Sequence, residues 1–374
     1  MSTITWPTAQ WAKPATCDLQ VIDNLQRVSE SPLSGYTQTL AMPGARWGWS
    51  MQFPSQNRAD RDQLEGLLLS LDGRANRVRL WDFKRPQPRG LIGLSGVTLA
   101  AAAAQFATSL VLQGCRGANL LLGGSFETDG DANGVGDGWL RYSNGSTGAL
   151  TQSLGSGFSP HAALSQACNA SALGTTSADR QGVEQTVPAL AIAGGAFTLS
   201  ARCLASAGTT LRAMVVWRDA AATTISSPLQ DAAATGADQT ITLAGTCPAN
   251  AVTGQIYLYQ HTGTGAAAFA YFDAAYLVAG GAVSYPAPAT LLCGDWMGLP
   301  SQLVRVVEDA SANDAGRMTV QVRHMLRTAA ASGGTVTLDR PTALYMRTES
   351  GLLMPRRPGN AEPELACDFV EAFA

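Results

Sequence analysis

The stretch Leu211–Trp217, "LRAMVVW", alternates its apolar side chains with the two-residue period that puts every second position on one face of a strand. Its neighbours repeat that texture. "FTLSARCL" at Phe197–Leu204, "QTITLAG" at Gln239–Gly245 and "GQIYLYQ" at Gly254–Gln260 are short apolar runs separated by turn residues, the pattern of an all-β sandwich. From Ala118 to Ala287 the chain carries five Arg against ten Asp plus Glu and is rich in Gly, Ala, Ser and Thr; the remainder carries 20 basic and 18 acidic groups. Charge and texture therefore change at the same two places.

The flanks read differently. "RWGWSMQF" at Arg46–Phe53 is expected to be a strand, and Leu64, Leu67, Leu68 and Leu71 recur at three and four residues, which predicts a helix from about Ala59 to Leu71 ended by Gly73. "RVRLWDF" alternates as a strand should. "LAAAAAQFATSLVLQG" is ambiguous, since alanine favours helix while the closing Thr, Ser, Leu and Val suit a strand. After the central region, "TLLCGDWMGL", "QLVRVVEDA", "GRMTVQVRH", "GTVTLDRP" and "ALYMRTE" read as short strands of a small β-barrel. "TSLVLQGC" has a strand's texture, and "ATLLCGDWM", beyond the insert, is its expected partner. The fold class expected is mainly β: one discontinuous outer domain with a single helix, residues 1–116 and 288–374, interrupted at 117–287 by a jelly-roll sandwich.

Composition narrows the function. With 374 residues, 46% hydrophobic and 14% charged, the chain can support two or three cores. Two of its 25 basic residues are lysines, no dense basic run occurs and the net charge is -3, so no nucleic-acid partner is expected. No apolar run reaches the ~18 residues of a membrane span, and "MSTITWPTAQWAKPATC" lacks the pattern of a secretory signal; synthesis in a cytoplasm, without membrane insertion, is the expectation. The seven cysteines form no CxxC pair and read as buried free thiols.

Together, "RWGWSMQF", "LLSLDGRANRVRLWDFKRPQPRG" and "LCGDWMGLPSQLVRVVEDASANDAGRMTVQVRHMLRTAAASGGTVTLDRPTALYMRTES" resemble the distal tail proteins of long-tailed bacteriophages. The resemblance implies a virion structural protein at the tail tip, forming a ring, commonly hexameric, between the tail tube and the baseplate hub. The insert, opening with "ANLLLGGSFETDGDANGVGDGWLRY" and closing with "AYFDAAYLVAGG", resembles the jelly-roll carbohydrate-binding modules. By that resemblance Asn119, Phe126 and Glu127 match the family's opening strand and Asp273 its closing one, the two strands lie together, and a structural calcium often sits beside them.

Asp129, Asp131, Asn133, Gly134 and Asp137 stand at the first, third, fifth, sixth and ninth positions of an EF-hand calcium loop, but Leu140 occupies the twelfth, where a bidentate glutamate belongs. Two readings stand: a calcium loop completed by Glu127, Asp273 or water, and a solvated turn. For glycan binding at a host cell surface, the candidate rings are Trp139, Tyr142, Trp217, Tyr257, Tyr259, His261 and Tyr271, of which Tyr257, Tyr259 and His261 share one strand face. Trp139 and Trp217 are the foremost candidates for the core. His161, His261 and His324 belong to no HExxH, and GxSxG and P-loop motifs are absent, so no enzyme is expected. The alternative is a receptor-binding or glycan-cleaving, tailspike-like protein.

Overall fold

The computed structural model describes residues 2–22, 27–30, 32, 34–40, 45–144, 150–153, 158, 163–171, 173, 180–189, 191–263, 266–281, 285–300, 302–349, 351, 354–356 and 361–373. His161 lies outside them. The chain is mainly β. Arg46–Phe53 sits inside a six-stranded sheet, between Thr16–Ile22 and Leu365–Glu371, and Ala343–Arg347, Arg77–Leu80 and Thr3–Thr5 complete it. Strands from the two ends of the sequence thus share one sheet.

The predicted helix is present at Arg58–Ser70, one residue earlier than expected at each end. Asn57 caps it by accepting from the Asp60 amide, Leu64 and Leu68 are buried, and Gly73 follows with φ of 60°, the left-handed conformation that ends helices. Buried Arg61 is ion-paired one turn along with Glu65 at 2.8 Å.

A five-stranded sheet is built from Trp296–Leu299, Gln302–Val306, Met318–Arg323, Ser109–Gln113 and Thr98–Leu99. Two expectations are corrected here. Ser109–Gln113 pairs with Met318–Gln321 and not with the 289–297 segment, because the intervening chain turns back through Trp296–Val306 before the edge is closed. Ala343–Arg347 leaves this sheet for the six-stranded one, and "GTVTLDRP" contributes only the isolated bridges at Thr335 and Thr337. The alanine run forms no helix. Backbone pairing at Thr98–Leu99, Ala103 and Ser109–Gln113 satisfies its amides within the sheet, and this tertiary gain outweighs alanine's helical preference.

The sandwich strands lie in sequence between the two flanks, from Leu140 to Ala279. One antiparallel sheet runs Leu140–Asn144, Arg180–Pro188, Thr253–Thr262, Thr210–Arg218, with Thr224–Ser226 and Leu229–Ala233 both on the last. The facing sheet runs Leu150–Ser153, Ser165–Cys168, Ala270–Ala279, Ala196–Ala205, Gln239–Thr246. Leu211, Ala213, Val215 and Trp217, the alternate residues of "LRAMVVW", point into the core between them. The chain enters and leaves this sandwich at one place: a Cβ on Gly117 would stand 2.8 Å from the Ala289 amide nitrogen and 2.9 Å from the Ala287 carbonyl oxygen. All seven cysteines are free; five are buried, and only Cys293 is exposed.

Candidate functional site

The register of Thr253–Thr262 decides the site. Ile256 and Leu258 enter the core, so Gln255, Tyr257, Tyr259 and His261 occupy the opposite face of the sheet, away from it. Across one neighbour, Tyr257 stands opposite Glu184 and Tyr259 opposite Gly182; across the other, Tyr257 stands opposite Met214 and Tyr259 opposite Arg212. Gly182 is also the partner of Tyr142 on the next strand. A glycine is required at this central position, where a Cβ would stand 2.1 Å from the Leu258 carbonyl oxygen and 2.4 Å from the Tyr259 Cβ.

The Tyr142 ring leans back over that glycine. Its centroid lies 4.7 Å from Tyr257 and 5.1 Å from Tyr259, both edge to face. Edge-to-face geometry sets the positive rim of one ring against the negative face of another. Tyr142 is half-buried, Tyr257 is nearly covered and Tyr259 fully so. Tyr142 is therefore the ring of the three that a ligand meets first.

Charged groups frame the cluster. Arg180 lies 5.6 Å from the Tyr259 ring centroid and donates to the Tyr142 hydroxyl. Arg212 grips Asp231 with both arms of its fork, at 2.6 and 2.7 Å, and this pairing holds Asp231 below the usual carboxylate range. On the other side Gln255 donates to Glu184 at 3.3 Å and accepts from Arg218 at 3.2 Å. Burial raises Glu184, opposed by hydrogen bonds from Tyr257 and Gln255; burial and the Glu184 charge push Tyr257 up to about 12. His261 is lowered by burial and by Arg212, and its buried Nδ1 has no hydrogen-bond partner among the described residues. The face thus presents the Tyr142 ring, backed by the covered Tyr257 and Tyr259 and bordered by donors and acceptors.

Trp139 does not join it. It is buried in the sandwich core, 5.2 Å from Phe126, and its Nε1 donates to the Gly123 carbonyl. Gly138, with φ of 89°, turns the chain so that the ring enters the core, a direction no strand periodicity encodes. Trp217 is core as well, and Tyr271 belongs to the other sheet, 5.6 Å from Phe269. Arg180, Glu184, Arg212 and Asp231 carried no sequence signal, because only strand pairing brings them beside the tyrosines.

The two segments expected to lie together do so. Asn119 accepts from the Leu277 amide and donates to the Ala275 carbonyl, and the Ala275 amide donates to the Gly124 carbonyl. In the acidic loop beside them the carboxylates accept from backbone amides. Asp129 accepts from the Asn133 and Gly134 amides, Asp131 from the Asn133 amide and side chain, and Asp137 from the Gly130 amide. Asn133 turns its own carbonyl to the Val135 amide. Glu127 caps the Ala163 and Leu164 amides, and Asp273, fully buried, accepts from Ala274. Among the described residues no three His, Cys, Asp or Glu side chains converge on a common point, and the carboxylates of the loop are directed to backbone amides.

No family model matches the chain, and no curated protein matches it. Among solved structures, the enzymatically active domain of tailspike protein 4 of bacteriophage CBA120 is similar over 43% of this chain, with 15% identity and a TM-score of 0.33. That match spans 21% of the tailspike chain. The C-terminal family 22 carbohydrate-binding module of Clostridium thermocellum xylanase 10B aligns over 44% of this chain and 96% of its own, with 15% identity and a TM-score of 0.30. A xylan-binding domain from Paenibacillus barcinonensis aligns over 44% and 96%, with 13% identity and a TM-score of 0.30.

Proposed function

We propose that the chain is a non-catalytic structural component of a phage tail tip whose inserted sandwich binds a host-surface glycan. The observation that carries the glycan reading is the Tyr142, Tyr257 and Tyr259 cluster on the solvent side of a sheet, bordered by Arg180, Glu184 and Gln255. A sugar has an apolar C–H face and a rim of hydroxyls; an accessible tyrosine ring suits the first, and fixed donors and acceptors suit the second. The tail-tip reading rests on the resemblance of residues 1–116 and 288–374 to distal tail proteins. In it the outer domain closes a ring, hexameric by that resemblance, against the tail tube and the baseplate hub. The sandwich, entered and left at one place, projects from that ring, and several copies multiply weak single-site binding.

The test is a titration of the full chain with host cell-wall polysaccharide, together with adsorption of phage particles carrying Tyr142→Ala. Polysaccharide binding at least tenfold weaker, with tails assembled and adsorption slowed, is the expected result. Unchanged binding and adsorption would remove the glycan reading. Release of oligosaccharide by the wild-type chain would favour a glycan-cleaving tail protein instead.

A further inference from the structure

Three guanidinium groups meet at the turn before Trp296–Leu299. Gly294 has φ of 95°, where glycine is favoured, and its lack of a side chain leaves the space into which they reach. The Arg85 Nη1, Arg305 Nη2 and Arg89 Nη2 atoms lie 2.9, 3.3 and 3.6 Å from the point where a Cβ would stand. Arg85 and Arg89 come from the loop after Arg77–Leu80, and Arg305 from Gln302–Val306.

Two of the three are held from behind. Arg89 donates to the Cys293 carbonyl, and Arg305 donates through Nε to the Gly294 carbonyl at 3.3 Å while lying over the Trp296 ring. The Arg85 side chain donates to no described residue, although a guanidinium has five N–H donors to place.

The trio is also short of negative charge. Among the described residues its one ion pair is Arg89 with Asp295, at 3.5 Å. Asp295 is buried and already accepts from the Arg89, Gly90 and Leu292 amides. Asp82 accepts from the Trp296 ring and the Lys84 and Arg85 amides, and Asp309 from the Cys293 amide. Like charges brought this close repel, and an anion between them converts the repulsion into attraction.

We propose that Arg85, Arg89 and Arg305 form a binding site for an oxyanionic group, a phosphate or a carboxylate. Guanidinium forks match pairs of oxygens on either group. The site lies in the outer domain and is independent of the glycan reading. Its source is either a free ion or an acidic side chain of a second copy of this chain.

The experiment melts the dilute full chain in sodium phosphate and in sodium chloride of equal ionic strength, and measures phosphate affinity by calorimetry. About 50 mM phosphate is expected to raise the Tm of the wild type by about 3–5 °C more than chloride does. Arg85→Gln, which removes no hydrogen bond to a described residue, is expected to weaken phosphate binding at least tenfold and abolish that excess. An equal rise in both proteins, or no phosphate-specific rise in the wild type, overturns the proposal. Sedimentation at higher protein concentration separates the sources. Dispersal of associated chains by phosphate assigns the anion to a second copy's carboxylate, and phosphate binding at constant mass assigns it to a free ion.

Discussion

Trp6, Trp47, Trp49, Trp81 and Trp296 pack with Phe53 and Phe369 in the core on the six-stranded sheet, whereas the sandwich fills its core mostly with aliphatic side chains and keeps Tyr142, Tyr257 and Tyr259 on its far side. The same residue class thus serves two ends. In the first region rings are buried area, with Trp6 and Phe53 stacked at 5.9 Å and Trp47 edge-on to Trp296 at 4.8 Å. In the second they form a layer over a sheet whose other face already seals the core. Removing a ring should cost stability in one region and binding in the other.

Trp49→Ala tests this most severely. The ring is 1% exposed, and truncation should cost about 3–5 kcal/mol in urea unfolding, the range for large aromatic side chains lost from a packed core. A loss below about 1 kcal/mol would break the contrast between the regions.

Titration gives the next effect, and it too belongs to the six-stranded sheet. Burial lifts Glu371 from 4.5 to about 7, against the Trp47 amide and the Arg327 and Arg46 charges, which lower it. The folded state therefore binds the proton more tightly than the unfolded chain. Its contribution is fully present below about pH 4.5 and is lost as pH rises through about 7, a change on the order of 3 kcal/mol. Melting of wild type and Glu371→Gln between pH 4 and 8 should show that difference; parallel curves would refute it.

Tyr142→Ala should cost only about 1 kcal/mol, the scale of its two edge-to-face contacts, since the residue is half-buried and outside the core. A loss as large as that of Trp49→Ala would make this ring structural. Smallest of all, Asp129→Ala should cost about 0.5–1 kcal/mol for two loop hydrogen bonds. Several millimolar calcium should leave the Tm of the wild type unmoved, because the carboxylates are directed to amides. A clear calcium-dependent rise, absent in Asp131→Ala, would show that the loop rearranges around the ion.

Local pattern made much of the fold legible. The two-residue period of "LRAMVVW" and "GQIYLYQ" identifies strands and puts Tyr257, Tyr259 and His261 on one face; the leucine spacing identifies the helix; the spacing of Asp129, Asp131 and Asn133 identifies a tight loop. These features depend on residues a few positions apart, whose relative directions follow from backbone geometry. The alanine run resisted such reading because its propensity and its pairing disagree.

What tertiary structure alone decided is everything that depends on partners distant in the chain. Arg212 meets Tyr259, Glu184 meets Tyr257, and Tyr142 folds over Gly182 only because four strands, separated by up to about a hundred residues, pair in one register. Arg85, Arg89 and Arg305 converge because a glycine more than two hundred residues from the first of them leaves room. A one-residue slip of Thr253–Thr262 would send Tyr257 and Tyr259 inward and Leu258 outward, so register, set by burial across the whole sheet, decides which face carries the rings.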